Sequence, residues 1–239
     1  MKAQTLFEAG KLDEAIQSLG VELRDNPTDV RRRIFLFELL SLAGEYDRAE
    51  KHLDVVAQGS HEAGMGALLY HSALHAARTR RDMFRSGDLP TTSGDQTVPG
   101  TLNGKPFQTL YDADPRIGPR IEIFAAGQYT WIPLEHVASI TMEPPKRLRD
   151  LIWAPARVVP GPKFRELELG EVLIPALTPF AYEHDDPEIR MGRATDWEAL
   201  DGDEGFAPVG QKLFMVDDKP VPLLDVRHLE FHAGADAEE

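Results

Sequence analysis

A short pattern occurs twice near the start of the chain. Gly10-Lys11-Leu12-Asp13-Glu14-Ala15 returns as Gly44-Glu45-Tyr46-Asp47-Arg48-Ala49, which sets the two glycines 34 positions apart. That period belongs to tetratricopeptide-type helical hairpins. The residue types suit it. Glycine ends one helix, a large apolar residue two places later fills the turn, and alanine lets the next helix approach closely. Leu19 and Leu53 match at the same offset, and Pro27 falls between the units. Phe37 departs from the pattern by filling a site that usually takes a small residue, and the first unit lacks half of its leading helix. Two units are fewer than a free-standing array needs, so the pattern predicts hairpins rather than a solenoid.

Proline marks where this regime stops. Pro27 is the one proline before residue 88, and the other seventeen follow. Proline interrupts helices and collects at turns and strand ends, so a helical first part and a strand-and-loop second part are expected. Charge divides at the same place. Residues 1–87 carry 12 basic and 13 acidic side chains, whereas residues 88–239 carry 14 and 27. The expected organisation is a tetratricopeptide-like helical domain over 1–87 and a Gly/Pro/Ser-rich linker or long loop over 88–100. An α+β domain over 101–232 and a disordered acidic tail over 233–239 complete it.

Apolar periodicity places helices near 2–9, 12–25, 29–43, 46–58 and 61–85. The third is apolar on nearly every side (Ile34, Phe35, Leu36, Phe37, Leu39, Leu40, Leu42), which predicts a helix surrounded by others. Gly64 and Gly66 weaken the start of the fifth by roughly 1 kcal/mol each, so close packing there is the expected compensation. Beyond the linker the period falls to two. Strands are expected over 120–124 and 129–132, paired about Ala126-Gly127-Gln128, and over 139–142 after a helical turn at 134–137. Two more, over 152–159 and 171–175, carry prolines that point to edges or bulges. A hairpin over 212–224 and a strand near 229–231 follow. Strands that do not alternate with long helices favour a mainly antiparallel α+β domain, so the fold class is multidomain, α and α+β.

The chain's net charge of −14 argues against general nucleic-acid binding, which needs surplus cations. With no cysteine there is no disulfide, thiolate nucleophile or Cys-ligated zinc. No apolar run approaches the ~20 residues that span a bilayer, and the N-terminus lacks a signal-peptide core. A cytoplasmic location is the expectation. Neither a phosphate-cradling glycine loop nor a GxSxG elbow occurs. His71 and His75 stand four apart on a helix, but no glutamate follows the first as a zinc protease requires, and no third ligand accompanies them or the pair His228 and His232. The sharpest acidic run is Glu183, Asp185, Asp186, Glu188, Asp196, Glu198, Asp201, Asp203 and Glu204. A metal-dependent hydrolase using these carboxylates with His184 is the enzymatic alternative. A solvated or partner-facing acidic surface is the plainer reading.

Two features bear on partners. Arg31, Arg32 and Arg33 open the third helix, where the macrodipole disfavours cations by a few tenths of a kcal/mol each. Asp25 and Asp29 offset them, or an acidic patch on the second domain or on a partner does. Arg190-Met191-Gly192-Arg193-Ala194-Thr195-Asp196-Trp197 reads as a turn stapled by Arg193 and Asp196 with Trp197 as its anchor.

At these residues the sequence resembles the ImpE/SciE-type family, also called TagJ, accessory proteins of bacterial type VI secretion. The likeness runs through LFEAGKLDEAI, RRRIFLFELLSLAGEYDRAEKHL, Trp131-Ile132-Pro133, Pro144-Pro145 and Arg147-Leu148-Arg149-Asp150-Leu151-Ile152-Trp153. It continues through Gly170–Pro175, the Gly192–Trp197 motif and Asp225–Phe231. The resemblance implies a cytoplasmic, non-enzymatic adaptor without a cofactor. Its implied partners are a helix of the small contractile-sheath subunit and a ClpV-type AAA+ ATPase, with neither nucleic acid nor membrane. It brings no catalytic residues. Arg31, Arg32, Arg33, Arg193, Asp196 and Trp197 are the candidate partner-binding residues. A purely structural assembly subunit is the remaining alternative.

Overall fold

The computed structural model of the protein describes residues 2–90, 96–162, 169–200 and 205–232. Part of the expected linker (91–95), the expected tail (233–239) and three of the candidate carboxylates (Asp201, Asp203, Glu204) lie outside them. Helices α1 (Lys2–Glu8), α2 (Leu12–Asp25), α3 (Val30–Leu42), α4 (Tyr46–Ala57) and α5 (His61–Ser86) form tetratricopeptide-like hairpins. Gly10 and Gly44 take φ of +81° and +72°, the left-handed turn that ends a helix and that glycine alone adopts without strain. Ala15 and Ala49, five places on, are fully buried where the following helices pack. The C-terminal half of α3 is buried on every side, Glu38 and Ser41 included. The start of α5 differs from expectation. Gly66 has nothing near it and Gly64 only an ordinary backbone contact, so no close packing offsets their weak helix propensity.

The second half is an antiparallel, sheet-rich domain. Its strands are β1 (Gly100–Leu102), β2 (Lys105–Phe107), β3 (Leu110–Asp112), β4 (Arg120–Ala125), β5 (Gln128–Pro133), β6 (Val137–Met142), β7 (Trp153–Pro160) and β8 (Glu171–Pro175). After them come β9 (Thr195–Ala199), β10 (Phe206–Gly210), β11 (Leu213–Val216), β12 (Lys219–Pro222) and β13 (His228–Phe231). Eight strands form one sheet in the order β2-β1-β13-β6-β7-β8-β4-β5, three form a second as β12-β11-β3, and β9 pairs only with β10. The prolines of β7 and β8 do not mark sheet edges, because both strands are interior. Pro155 is tolerated because the β6 ladder has ended, at the pair Met142 with Ala156, where the missing N–H would have pointed. A register shift between Val137 and Ser139 supplies a bulge near Pro160.

Side-chain alternation gives the large sheet two different faces. Ile121, Ile123, Ala154, Ala156, Val158, Val172 and Ile174 enter a core shared with Leu110 and Phe214 of the small sheet. Phe124, Trp153 and Leu173 enter the other core, built by all five helices. The two halves therefore share one apolar interior.

Candidate partner-binding surfaces

The surface a helical repeat usually offers to a peptide is filled here by the chain's own second half. The 3-10 turn Leu148–Leu151 and the start of β7 drive a plug into the helices. Trp153 lies 6.4 Å from the ring of Phe37 in α3 and 6.2 Å from that of Tyr70 in α5. Arg149 pairs with the buried Glu38 at 2.8 Å and covers the face of Tyr70. Burial pushes the Glu38 carboxyl above its ordinary range, and Arg149 limits the rise by favouring the charged form. The RLRDLIW segment thus joins the halves.

A second strap crosses the two glycine turns. The short helix α6 (Pro187–Arg190) lays Pro187, Glu188 and Met191 against Gly10. Tyr182 lies against Gly44 and meets Tyr46 edge-on at 6.4 Å. Turns one repeat apart are therefore held by residues that lie close together in the second half. Arg190 pairs with Asp13 at 3.1 Å, and Arg193 donates to the carbonyls of Phe7 and Glu8 at the end of α1. A cation at a helix C-terminus is favourably placed.

Farther along α5, four charges are buried together. Arg80 donates to both oxygens of Glu122 at 2.7 and 2.9 Å, Lys212 reaches Glu122 at 2.6 Å and Asp112 as well, and Tyr129 donates to Glu122 at 2.6 Å. Burial opposes ionisation of Glu122, yet Arg80 and Lys212 hold its carboxyl far below the ordinary range. Asp112, with Lys212 alone as its cation, is pushed up to about 6 by burial. The sequence contained one sign of this cluster, a glutamate between Ile121 and Ile123 in a strand apolar on both faces.

The candidate residues fare unequally. Arg32 is used internally: its N–H caps on Asp29, and its guanidinium pairs with Asp29 and Glu22, so Glu22 rather than Asp25 shares the offsetting of the cluster. Arg33 donates to the Pro27 carbonyl and meets His52. Arg31 is exposed and has no partner among the described residues. The expected Arg193–Asp196 staple does not form, because Arg193 pairs with Glu188 at 3.0 Å while Asp196 lies on β9. Trp197 is 42% exposed and anchors no turn. The turn is fixed instead by Gly192, where a Cβ would strike Leu177 at 2.2 Å.

The carboxylates are dispersed among other tasks. Glu183 pairs with Arg85, Asp186 caps α6, Glu188 holds Arg193, and His184 lies 4.0 Å from Asp196 and 3.8 Å from Glu198. Of the helix histidines, His71 sits between Glu50 and Asp54 of α4 while His75 is exposed. Among the described residues no three His, Asp or Glu side chains are grouped to hold a metal ion. Nor is any helix long and apolar enough to cross a membrane.

Tetratricopeptide-like hairpins joined through a shared core to an antiparallel, sheet-rich domain define a multidomain α and α+β class of protein. The profile of the ImpE protein family matches residues 104–230, and a tetratricopeptide-repeat profile matches residues 6–63. A Pseudomonas aeruginosa protein named type VI secretion system accessory component TagJ is 32% identical, over 97% of this chain and 91% of its own length. The crystal structure of protein VPA1032 from Vibrio parahaemolyticus has the same fold, with a TM-score of 0.85 at 21% identity over 98% of this chain and 99% of that one. The chain belongs to the ImpE family.

Proposed function

We propose that this protein is a non-catalytic accessory component of a bacterial type VI secretion system. In this reading it works in the cytoplasm, where it holds an amphipathic helix of the small contractile-sheath subunit and links it to a ClpV-type AAA+ ATPase. The accessory role is supported by the identity with TagJ over nearly the whole chain. The observation that carries the binding mode is on α5. Met65, Leu68 and Leu69 form an i, i+3, i+4 stripe that is 60%, 60% and 50% exposed, and Gly66 beside it is open. In the hairpins α1/α2 and α3/α4 each leading helix is covered by a trailing one. After α5 the next described element is a strand of the sheet domain, and among the described residues no trailing helix covers this stripe. A partner helix laid there would bury the three side chains, and Gly66 would let it approach closely. Among the described residues, Arg31 is the one member of its cluster whose guanidinium meets no acidic side chain or carbonyl, which leaves it to an acidic partner.

Titration calorimetry of the full chain with the purified small sheath subunit tests this. Leu68→Ser with Leu69→Ser should weaken binding at least about tenfold while leaving the fold intact, because both side chains are in water in the free protein. Equal affinity of that variant and the wild type would remove α5 from the interface. No binding by the wild type would remove the sheath subunit as partner.

A further inference from the structure

The ribbon of β9 and β10 stands apart from both larger sheets, and an isolated two-stranded hairpin is only marginally stable. Its base is pinned: Thr195 donates to the Gln211 carbonyl at 2.9 Å, and Thr178 exchanges bonds with Gly210. Its blade is bare. Every residue of β9 after Thr195 is exposed.

The register decides what the blade presents. Trp197 lies opposite Pro208 and Ala199 opposite Phe206, so these four share one face, on which Trp197, Ala199 and Phe206 are exposed and Pro208 is buried. Trp197 is 42% and Phe206 63% exposed, and among the described residues no other aromatic side chain is exposed. Asp196 and Glu198 alternate with them on the opposite face, more than half exposed, and meet no Lys or Arg among the described residues; both lie 3.8–4.0 Å from His184, and Asp196 also accepts from the Trp197 N–H at 2.8 Å. Bonds from Gln211 N–H to Ala194 O and from Leu200 N–H to Gly205 O frame the ribbon. By alternation, the carbonyls of Trp197 and Ala199 turn to the free edge of β9. Exposed aromatic rings, carboxylates that meet no Lys or Arg among the described residues, and backbone acceptors turned to the edge together suit one kind of ligand. Cations stack on tryptophan better than on any other ring, and carboxylates complete the charge.

We propose that the free edge of this ribbon forms a second docking surface, taken by a basic, extended peptide segment that lies along β9 with Arg or Lys side chains on both of its faces, those on one face stacking on Trp197 and those on the other pairing with Asp196 and Glu198. The surface is separate from α5 and does not depend on the sheath-helix reading.

Fluorescence anisotropy of labelled Arg-Arg-Val-repeat and Glu-Glu-Val-repeat peptides, which carry charge on both faces of an extended strand, against the full chain tests it. The Arg-Arg-Val peptide should bind at least about tenfold more tightly than the Glu-Glu-Val peptide. Trp197→Ala, which leaves the net charge unchanged, should lose about tenfold, and Phe206→Ser should also weaken binding. Asp196→Asn with Glu198→Gln should weaken it and flatten its salt dependence. Glu62→Gln with Asp82→Asn removes the same charge elsewhere and should leave affinity unaltered. Wild-type affinity in both Trp197→Ala and Phe206→Ser would overturn the proposal. So would an equal loss in the Glu62/Asp82 variant, which would show diffuse attraction to an acidic chain.

Discussion

Arg80, late in α5, and Glu122, in the middle of β4, face one another in a two-bonded pair at 2.7 and 2.9 Å, both out of water. The helix comes from the first half of the chain and the strand from the second, so the pair fixes one half against the other. Lys212 and Asp112 complete a set with no net charge, which is how four ions can be buried together.

Breaking that set from one side should be costly. Arg80→Ala leaves Glu122 with Lys212 alone and should lower stability by about 3–5 kcal/mol in a denaturant titration. A change near zero would mean that water enters and replaces the guanidinium.

The same cluster sets a pH dependence. Asp112 titrates at about 6 when folded, against an ordinary 3.8. Between those values the folded chain keeps a proton that the unfolded chain releases, so this residue makes stability fall as pH rises across the window, by up to roughly 3 kcal/mol. Glu122 has the opposite sign: its lowered pKa contributes stability that is present above about pH 4.5 and lost as pH falls further. In Asp112→Asn the first slope should vanish. The thermal midpoint of that variant relative to wild type should therefore climb between about pH 4 and 6 and level off above roughly pH 7. A pH-independent difference would place the titration elsewhere.

Gly44 tests the strap across the repeat turns. A Cβ there would sit 2.7 Å from the Tyr182 ring, at a φ of +72°. Gly44→Ala should cost about 1–2 kcal/mol for the left-handed backbone and more for the clash. In a Tyr182→Ala background only the backbone part should remain. A double-mutant cycle measures the difference, and strict additivity would mean that Tyr182 does not press on this turn.

Phe37 is 1% exposed, with rings of Tyr70 and Trp153 at 5.9 and 6.4 Å. Phe37→Ala should cost about 3–5 kcal/mol through lost burial and the cavity left behind. Chemical denaturation reads this directly, and a near-neutral result would show that Trp153 closes the gap.

The division of the chain into domains 1–87 and 101–232 is open to proteolysis. Cleavage within 88–100 should leave the two pieces eluting together on native size exclusion, because Phe124, Trp153 and Leu173 are buried among the helices. Separation of the pieces without denaturant would show that each half closes its own core.

How much of this was legible beforehand follows from which interactions are local. The five helices and the central strands were readable, since an apolar period of 3.6 or 2 is written in neighbouring residues. β1, β2 and β3 were not, being three residues long; β1 and β3 are closed by partners far along the chain, and β2 hangs on β1. In the Gly192–Trp197 motif the glycine turn forms but the expected Arg193–Asp196 pair does not, because Arg193 finds its partners on α1 and α6 instead of three residues away.

The sequence by itself determined the 34-residue helical repeat, the change of regime near residue 88 and the strand periods that follow. Tertiary structure alone decided that the repeat's inner face is filled by RLRDLIW, that Arg80, Glu122, Lys212 and Asp112 meet, and that Trp197 points to water. The physical reason is range. Propensity and periodicity act over a few residues, whereas burial and charge pairing depend on which distant segments the finished fold brings into contact.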